Sequence, residues 1–111
     1  MRYLILLYGD ADGEVALGPE QRRAIVEEHM SFSGTLRERG ALVDGAALEP
    51  TAQTIRAGLV TDGPFAETKE QLGGFYLLEC SDLDEALDWA KLVPASPGLV
   101  VEVRPLASVG G

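Results

Sequence analysis

The chain predicts an α+β domain of the ferredoxin-like kind, and three observations predict it. Apolar strand-like runs and helical segments follow the order strand, helix, strand with a hairpin appendage, strand, helix, strand. At 111 residues the chain has room for one domain, spanning 1–111, and no repeat, low-complexity tract or linker divides it. The runs Tyr3–Tyr8 and Phe75–Cys80 are apolar on both alternating faces, whereas two helices can cover only one face of a sheet. A monomer would leave a large apolar patch in water. Two sheets packed face to face remove it, so the expected assembly is a homodimer forming a dimeric α/β barrel.

Each element has a local cause. Gly9-Asp10-Ala11-Asp12-Gly13 ends the first strand as a loop by composition. Gly18-Pro19-Glu20 opens a helix, with proline at the first helical position and an acid facing the positive end of the dipole. That helix runs to about Arg39, where Gly40 supplies the stop. At about 100° per residue, Ile25, His29, Phe32 and Leu36 share one stripe, with Val26 further round. Ala41–Leu48 reads as a strand interrupted by Gly45. Thr54–Arg56 and Leu59–Thr61 read as hairpin arms across Ala57-Gly58. Ser81-Asp82 starts the second helix, with Asp82 and Glu85 at capping-box spacing and Leu83, Ala86, Leu87 and Ala90 as its core stripe. Pro94 and Pro97-Gly98 end it, and Leu99–Pro105 is the closing strand.

Charge and cysteine content narrow the function classes. Eighteen Asp plus Glu against nine Lys plus Arg give a net charge of −9, which repels phosphate backbones and anionic lipid. No nucleic-acid or membrane partner is expected. A small anionic molecule would need a local concentration of basic groups, for which Lys69 and Arg104 are the candidates. Cys80 is the single cysteine, so there is no intrachain disulfide, and nothing beside it in sequence lowers its pKa. The apolar start is too short for a signal-peptide core and acids follow it directly, so a cytoplasmic, soluble protein is expected. No cofactor fingerprint and no spacing that demands a metal is present.

The stretch from Asp62 to Gly74, Asp-Gly-Pro-Phe-Ala-Glu-Thr-Lys-Glu-Gln-Leu-Gly-Gly, combines turn formers, an aromatic expected to be buried, three carboxylates and a lysine. It reads as an ordered, rigid excursion between strands, anchored by Pro64, Phe65 and Leu72. A short helical turn is expected around Thr68. The segment resembles the signature of the DGPF branch of the YCII-related proteins. The resemblance extends to Tyr8-Gly9-Asp10, His29, Asp84-Glu85-Ala86, Trp89-Ala90 and Glu102–Pro105, nearly the whole chain. It implies the same fold and dimeric barrel, shared with small lyases and isomerases that bind aromatic-derived acids. It also implies a histidine in the first helix paired with an aspartate just before the proline after the second helix. His29 is present; Val93 stands where the aspartate would be. DGPF-type genes often neighbour those of extracytoplasmic-function sigma factors, which implies a regulatory or accessory role as the alternative.

His29 is the single histidine and the natural acid–base candidate, because imidazole titrates near neutrality without a large shift. The plainer role is a buried histidine bonded to backbone. Asp62 is the substitute partner, or an aspartate that fixes its own turn. Lys69, Arg104 and Phe65 are the substrate-binding candidates. Arg104 also has a plainer role, a salt bridge to the Glu67–Glu70 cluster.

Overall fold

The computed structural model describes residues 1–10, 17–65 and 70–108. Its elements are β1 (Arg2–Asp10), α1 (Pro19–Glu38), β2 (Leu42–Ala47), β3 (Gln53–Arg56), β4 (Leu59–Asp62), β5 (Glu70–Glu79), α2 (Leu83–Lys91) and β6 (Val100–Pro105). Four strands form an antiparallel sheet in the order β2-β5-β1-β6, and β3 pairs with β4 in a separate two-stranded sheet. This mixed α+β arrangement is consistent with the ferredoxin-like fold. The sheet of one chain is open, with β2 and β6 as its edges.

The helix boundaries follow their local signals. Gln21 Oε1 accepts from the Gly18 N–H at 3.0 Å, and Gly40 takes a positive φ of 70° just past the end of α1. Asp82 Oδ1 accepts from the Glu85 N–H at 2.9 Å, and Glu85 Oε2 accepts from the Ser81 hydroxyl at 2.9 Å. Both helices bury their apolar side against one sheet face. Phe32 and Leu36 of α1, Ala86 of α2 and Val93 beyond it pack with Tyr3, Ile5, Tyr76, Leu78 and Cys80. Burying a side chain the size of Ile5 contributes about 1.5–3 kcal/mol.

The register separates the faces cleanly. Ile5 lies opposite Tyr76 and Val103 beneath the helices, whereas Leu4 lies opposite Leu77 and Arg104 on the other face. There Leu4, Leu6, Phe75 and Leu77 remain half-exposed, the uncovered apolar face expected of strands without polar alternation.

Three expectations need correction. The core stripe of α2 is Ala86, Trp89 and Ala90, while Leu83 and Leu87 are exposed. Alanine at the contact leaves room for the Trp89 ring, which rests edge-on against Phe32 at 6.4 Å between centroids. Phe65 is 70 % exposed, with the Arg56 guanidinium 4.8 Å above its ring, so it is no buried anchor. Leu72 is also exposed, and Glu70–Gly74 are strand residues of β5, because β5 continues past the apolar run to pair with β1 as far as Asp10. The helical turn expected around Thr68 lies outside the described residues.

Candidate functional site

His29 stands on α1 one turn before Phe32 and Ser33, and its half-buried ring faces β5. Its Nδ1 lies 2.7 Å from the Tyr76 hydroxyl, and the two rings are nearly parallel at 13°, centroids 6.1 Å apart. Phe32 supports the Tyr76 ring edge-on at 5.3 Å. The Ser33 side chain lies near enough to the Tyr76 phenol to influence its titration.

Gly45 makes this possible. It pairs with Tyr76 across β2 and β5, and a Cβ there would stand 3.0 Å from Tyr76 Cδ1 and 3.1 Å from the Phe75 carbonyl oxygen. The glycine that interrupts an otherwise strand-like run is the bed on which the tyrosine ring lies.

Burial sets the protonation states. It pulls the His29 pKa below the usual imidazole value, with the Glu28 carboxylate opposing. It pushes the Tyr76 phenol up, with the nearby Ser33 hydroxyl opposing. Near neutrality the pair is therefore a neutral imidazole beside a protonated phenol. With Tyr76 donating to Nδ1, the ring proton sits on Nε2. Among the described residues Nε2 has no hydrogen-bond partner, and no buried side-chain polar atom is left unsatisfied, so Nε2 reaches solvent. With Nδ1 donating to the Tyr76 oxygen instead, Nε2 carries a bare lone pair. The same nitrogen can thus donate or accept.

A histidine with a depressed pKa leaves a signature in stability. The unfolded chain binds the His29 proton at higher pH than the folded one, so the His29 contribution is complete above the ordinary imidazole pKa. It is lost as pH falls from there through the folded value. The melting temperature should fall between pH 7 and pH 5 by more in the native protein than in His29→Gln. Parallel curves for the two would show that the imidazole is not buried as described.

The other candidates lie elsewhere. Asp62 ends β4 opposite Gln53 and lines a shallow concavity with Pro50, Thr51, Ala52 and Gly63. No hydrogen bond joins it to His29, whose ring partner is Tyr76. Gly63 takes a φ of 97°, donates to the Ala52 carbonyl at 2.7 Å and accepts from the Thr54 hydroxyl at 2.7 Å, which closes the hairpin base beside Asp62. Arg104 Nε donates to Glu102 Oε1 at 2.9 Å on the open sheet face, and Tyr8 donates to the same oxygen at 3.4 Å. The sheet stands between Arg104 and His29 of the same chain. Lys69 and Glu67 lie outside the described residues. Val93 is buried in the core. Burial pushes the Cys80 thiol up to about 11, which makes it a packing residue. Among the described residues no group of three His, Cys, Asp or Glu is placed to hold a metal, and no helix is long and apolar enough to cross a membrane.

The partner that composition did not reveal is Tyr76. A tyrosine in a buried strand needs somewhere for its hydroxyl, and a glycine in the neighbouring strand was the available sign. The comparison with known families decides the kinship, for the YCII-related domain matches residues 1–107. The chain belongs to the YCII-related family. It is also 45% identical over 115 residues to an uncharacterised protein of Rhizobium meliloti (strain 1021), an alignment covering 96% of this chain and 93% of that one. In this YCII-related chain His29 stands on the first helix, Val93 precedes Pro94, and the Tyr76 hydroxyl lies at Nδ1.

Proposed function

We propose that this YCII-related protein, whose signature resembles that of the DGPF branch, binds a small molecule and handles its proton at His29, acting as a homodimer. The solvent-reaching Nε2 of a neutral imidazole, held at Nδ1 by Tyr76, carries the proposal. A phenol cannot stabilise an imidazolium as a carboxylate would, so the ring favours brief proton exchange or hydrogen bonding over holding a charge. The substrate is a small molecule that presents an oxygen to Nε2, such as a carboxylate or a polarised carbonyl. Lys69, Phe65 and Asp62 remain proposed contributors through the signature segment. Arg104 could reach a ligand only from the face where a second sheet would pack. Half-exposed Leu4, Leu6, Phe75 and Leu77 support that sheet-to-sheet pairing and the dimeric barrel it would form.

Two measurements test this. Nitrogen-15 spectra of the His29 ring should shift when small aromatic acids are added, and the shift should vanish in Tyr76→Phe while the chain stays folded. Equal shifts in Tyr76→Phe would remove Tyr76 from the site. Sedimentation at micromolar concentration should give twice the chain mass, and a folded monomer would end the dimeric reading. A regulatory or accessory role is the second reading. The exposed apolar side chains on β3 and β4 favour it.

A further inference from the structure

Strand β6 is an open edge of the sheet, and the side of α2 that overlooks it is apolar. α1 packs at the β2 side and α2 over β1 and β6. At about 100° per residue, Trp89 lies some 60° to one side of Ala86 on α2, and its ring meets Phe32, so that side faces α1. Leu83 and Leu87 lie about 60° and 100° to the other side, toward the β6 edge. They are 47% and 37% exposed. An unpaired edge beneath an apolar shoulder is a template for another strand.

The ladder shows which backbone groups that edge offers. The Leu106 N–H donates to the Arg2 carbonyl at 3.0 Å, and opposed residues in an antiparallel ladder alternate between bonded and unbonded pairs. Val100, Glu102 and Arg104 therefore turn their backbone groups to β1, while Val101, Val103 and Pro105 turn theirs outward. Pro105 brings no donor, which discourages most strands from adding here.

The strand that fits is β6 itself. Two copies set antiparallel about a two-fold axis at Val103 bond Val103 to Val103, and the Val101 N–H to the Pro105 carbonyl. The donor that proline lacks is the only loss. In that register Glu102 lies directly opposite Arg104 of the second copy, and exposed Val100 opposite exposed Leu106. Glu102 and Arg104 already share a 2.9 Å bond within the strand, so the two copies close a ring of alternating charge. The smallest slip that keeps each side chain on its face sets Glu102 against Glu102, or Arg104 against Arg104, which like-charge repulsion opposes. The helices agree with this register. With strands about 4.8 Å apart, helices centred between β1 and β6 stand roughly 9–10 Å apart across the seam, the spacing of packed helices. Leu83 and Leu87 of both copies then cover one another.

We infer that the β6 edge is an interface whose occupant is a second copy of this chain, paired about Val103 into a continuous sheet. It is separate from sheet-face pairing and does not rest on it. Val101 and Val103 are its outward donors, so the seam is short and closes at higher protein concentration than whole sheets packed face to face. Glu102→Cys and Arg104→Cys proteins, mixed and oxidised at high concentration, should form a mixed disulfide that neither forms alone. Directly opposed Cα atoms of an unbonded pair stand about 4.5 Å apart, within disulfide reach, and diagonal ones about 7–8 Å, beyond it. Packed sheet faces stand about 10 Å apart, so the bridge cannot come from sheet-face pairing. Buried Cys80 stays out of the reaction. Adding Leu83→Ser and Leu87→Ser to both proteins should cut the yield at least about threefold while the chain stays folded. Folded variants that give no mixed disulfide would overturn the seam, and a disulfide within either variant alone would overturn its register. A yield unchanged by the two serine substitutions would remove α2 from it. A native protein that is monomeric when dilute, with the mixed disulfide still formed, would end the sheet-face reading and uphold the seam.

Discussion

Leu36→Ala should lower stability by about 2–5 kcal/mol, a large share of the 5–15 kcal/mol typical of a domain. Leu36 is fully buried and belongs to the cluster that joins both helices to β1 and β5. Its carbonyl also accepts from the Ala41 N–H at 2.9 Å, where the chain leaves α1 for β2, so the backbone there has little freedom to collapse into the cavity. Met30, on the same helix but 68% exposed, provides the control, and Met30→Ala should stay within about 0.5 kcal/mol of the native protein. Denaturant melts of the two variants check the pair. Equal midpoints would mean that α1 is not docked through Leu36.

Gly45→Val sets two effects against each other. A glycine in a strand weakens it by roughly 0.5–1 kcal/mol relative to alanine, and valine favours strands, so propensity alone predicts stabilisation. The geometry predicts the reverse. The new Cβ would press on the Tyr76 ring at 3.0 Å and on a backbone oxygen at 3.1 Å, and only the ring can give way. Overpacking of that kind costs about 1–3 kcal/mol, and lifting the ring also breaks the 2.7 Å bond to His29 Nδ1. The net result should be a less stable protein that has lost the pH signature of His29. A stabilised variant with that signature intact would show the tyrosine to be free to move.

The parts of this fold that rest on neighbours in sequence were legible from the sequence. Pro19 at a helix start, Gly40 past its end and the Asp82–Glu85 capping pair act within one turn, and each did what its chemistry requires. The uncovered sheet face followed from strands that do not alternate. What could not be read depends on contacts between distant segments. Tyr76 meets His29 across 47 positions, and in an apolar run it reads as one more core residue. Leu83 and Leu87 share a stripe with Ala86 on a helical projection, but which side docks was decided by Trp89 fitting against Phe32. Phe65 has the composition of an anchor and lies beside Arg56 on the surface, because the hairpin that carries it stands away from the core. Glu70–Gly74 look like loop by residue type, and their strand geometry comes from partners in β1 and β2.

The pairing of β1 with β6 has a kinetic consequence. Tyr3 sits opposite Pro105, and the Leu106 N–H donates to the Arg2 carbonyl at 3.0 Å, so the first and last strands are neighbours. β1 holds the centre of the sheet only when segments some hundred positions apart have met, and no short-range contact stands in for that closure. Folding rates fall as the mean separation of contacting residues grows, because chain entropy is lost before the distant contacts repay it. The helices can form early on their own caps. The β1–β6 pairing waits on contacts from opposite ends of the sheet, so refolding should be slower than for a helical bundle of this length, which stopped-flow refolding would check.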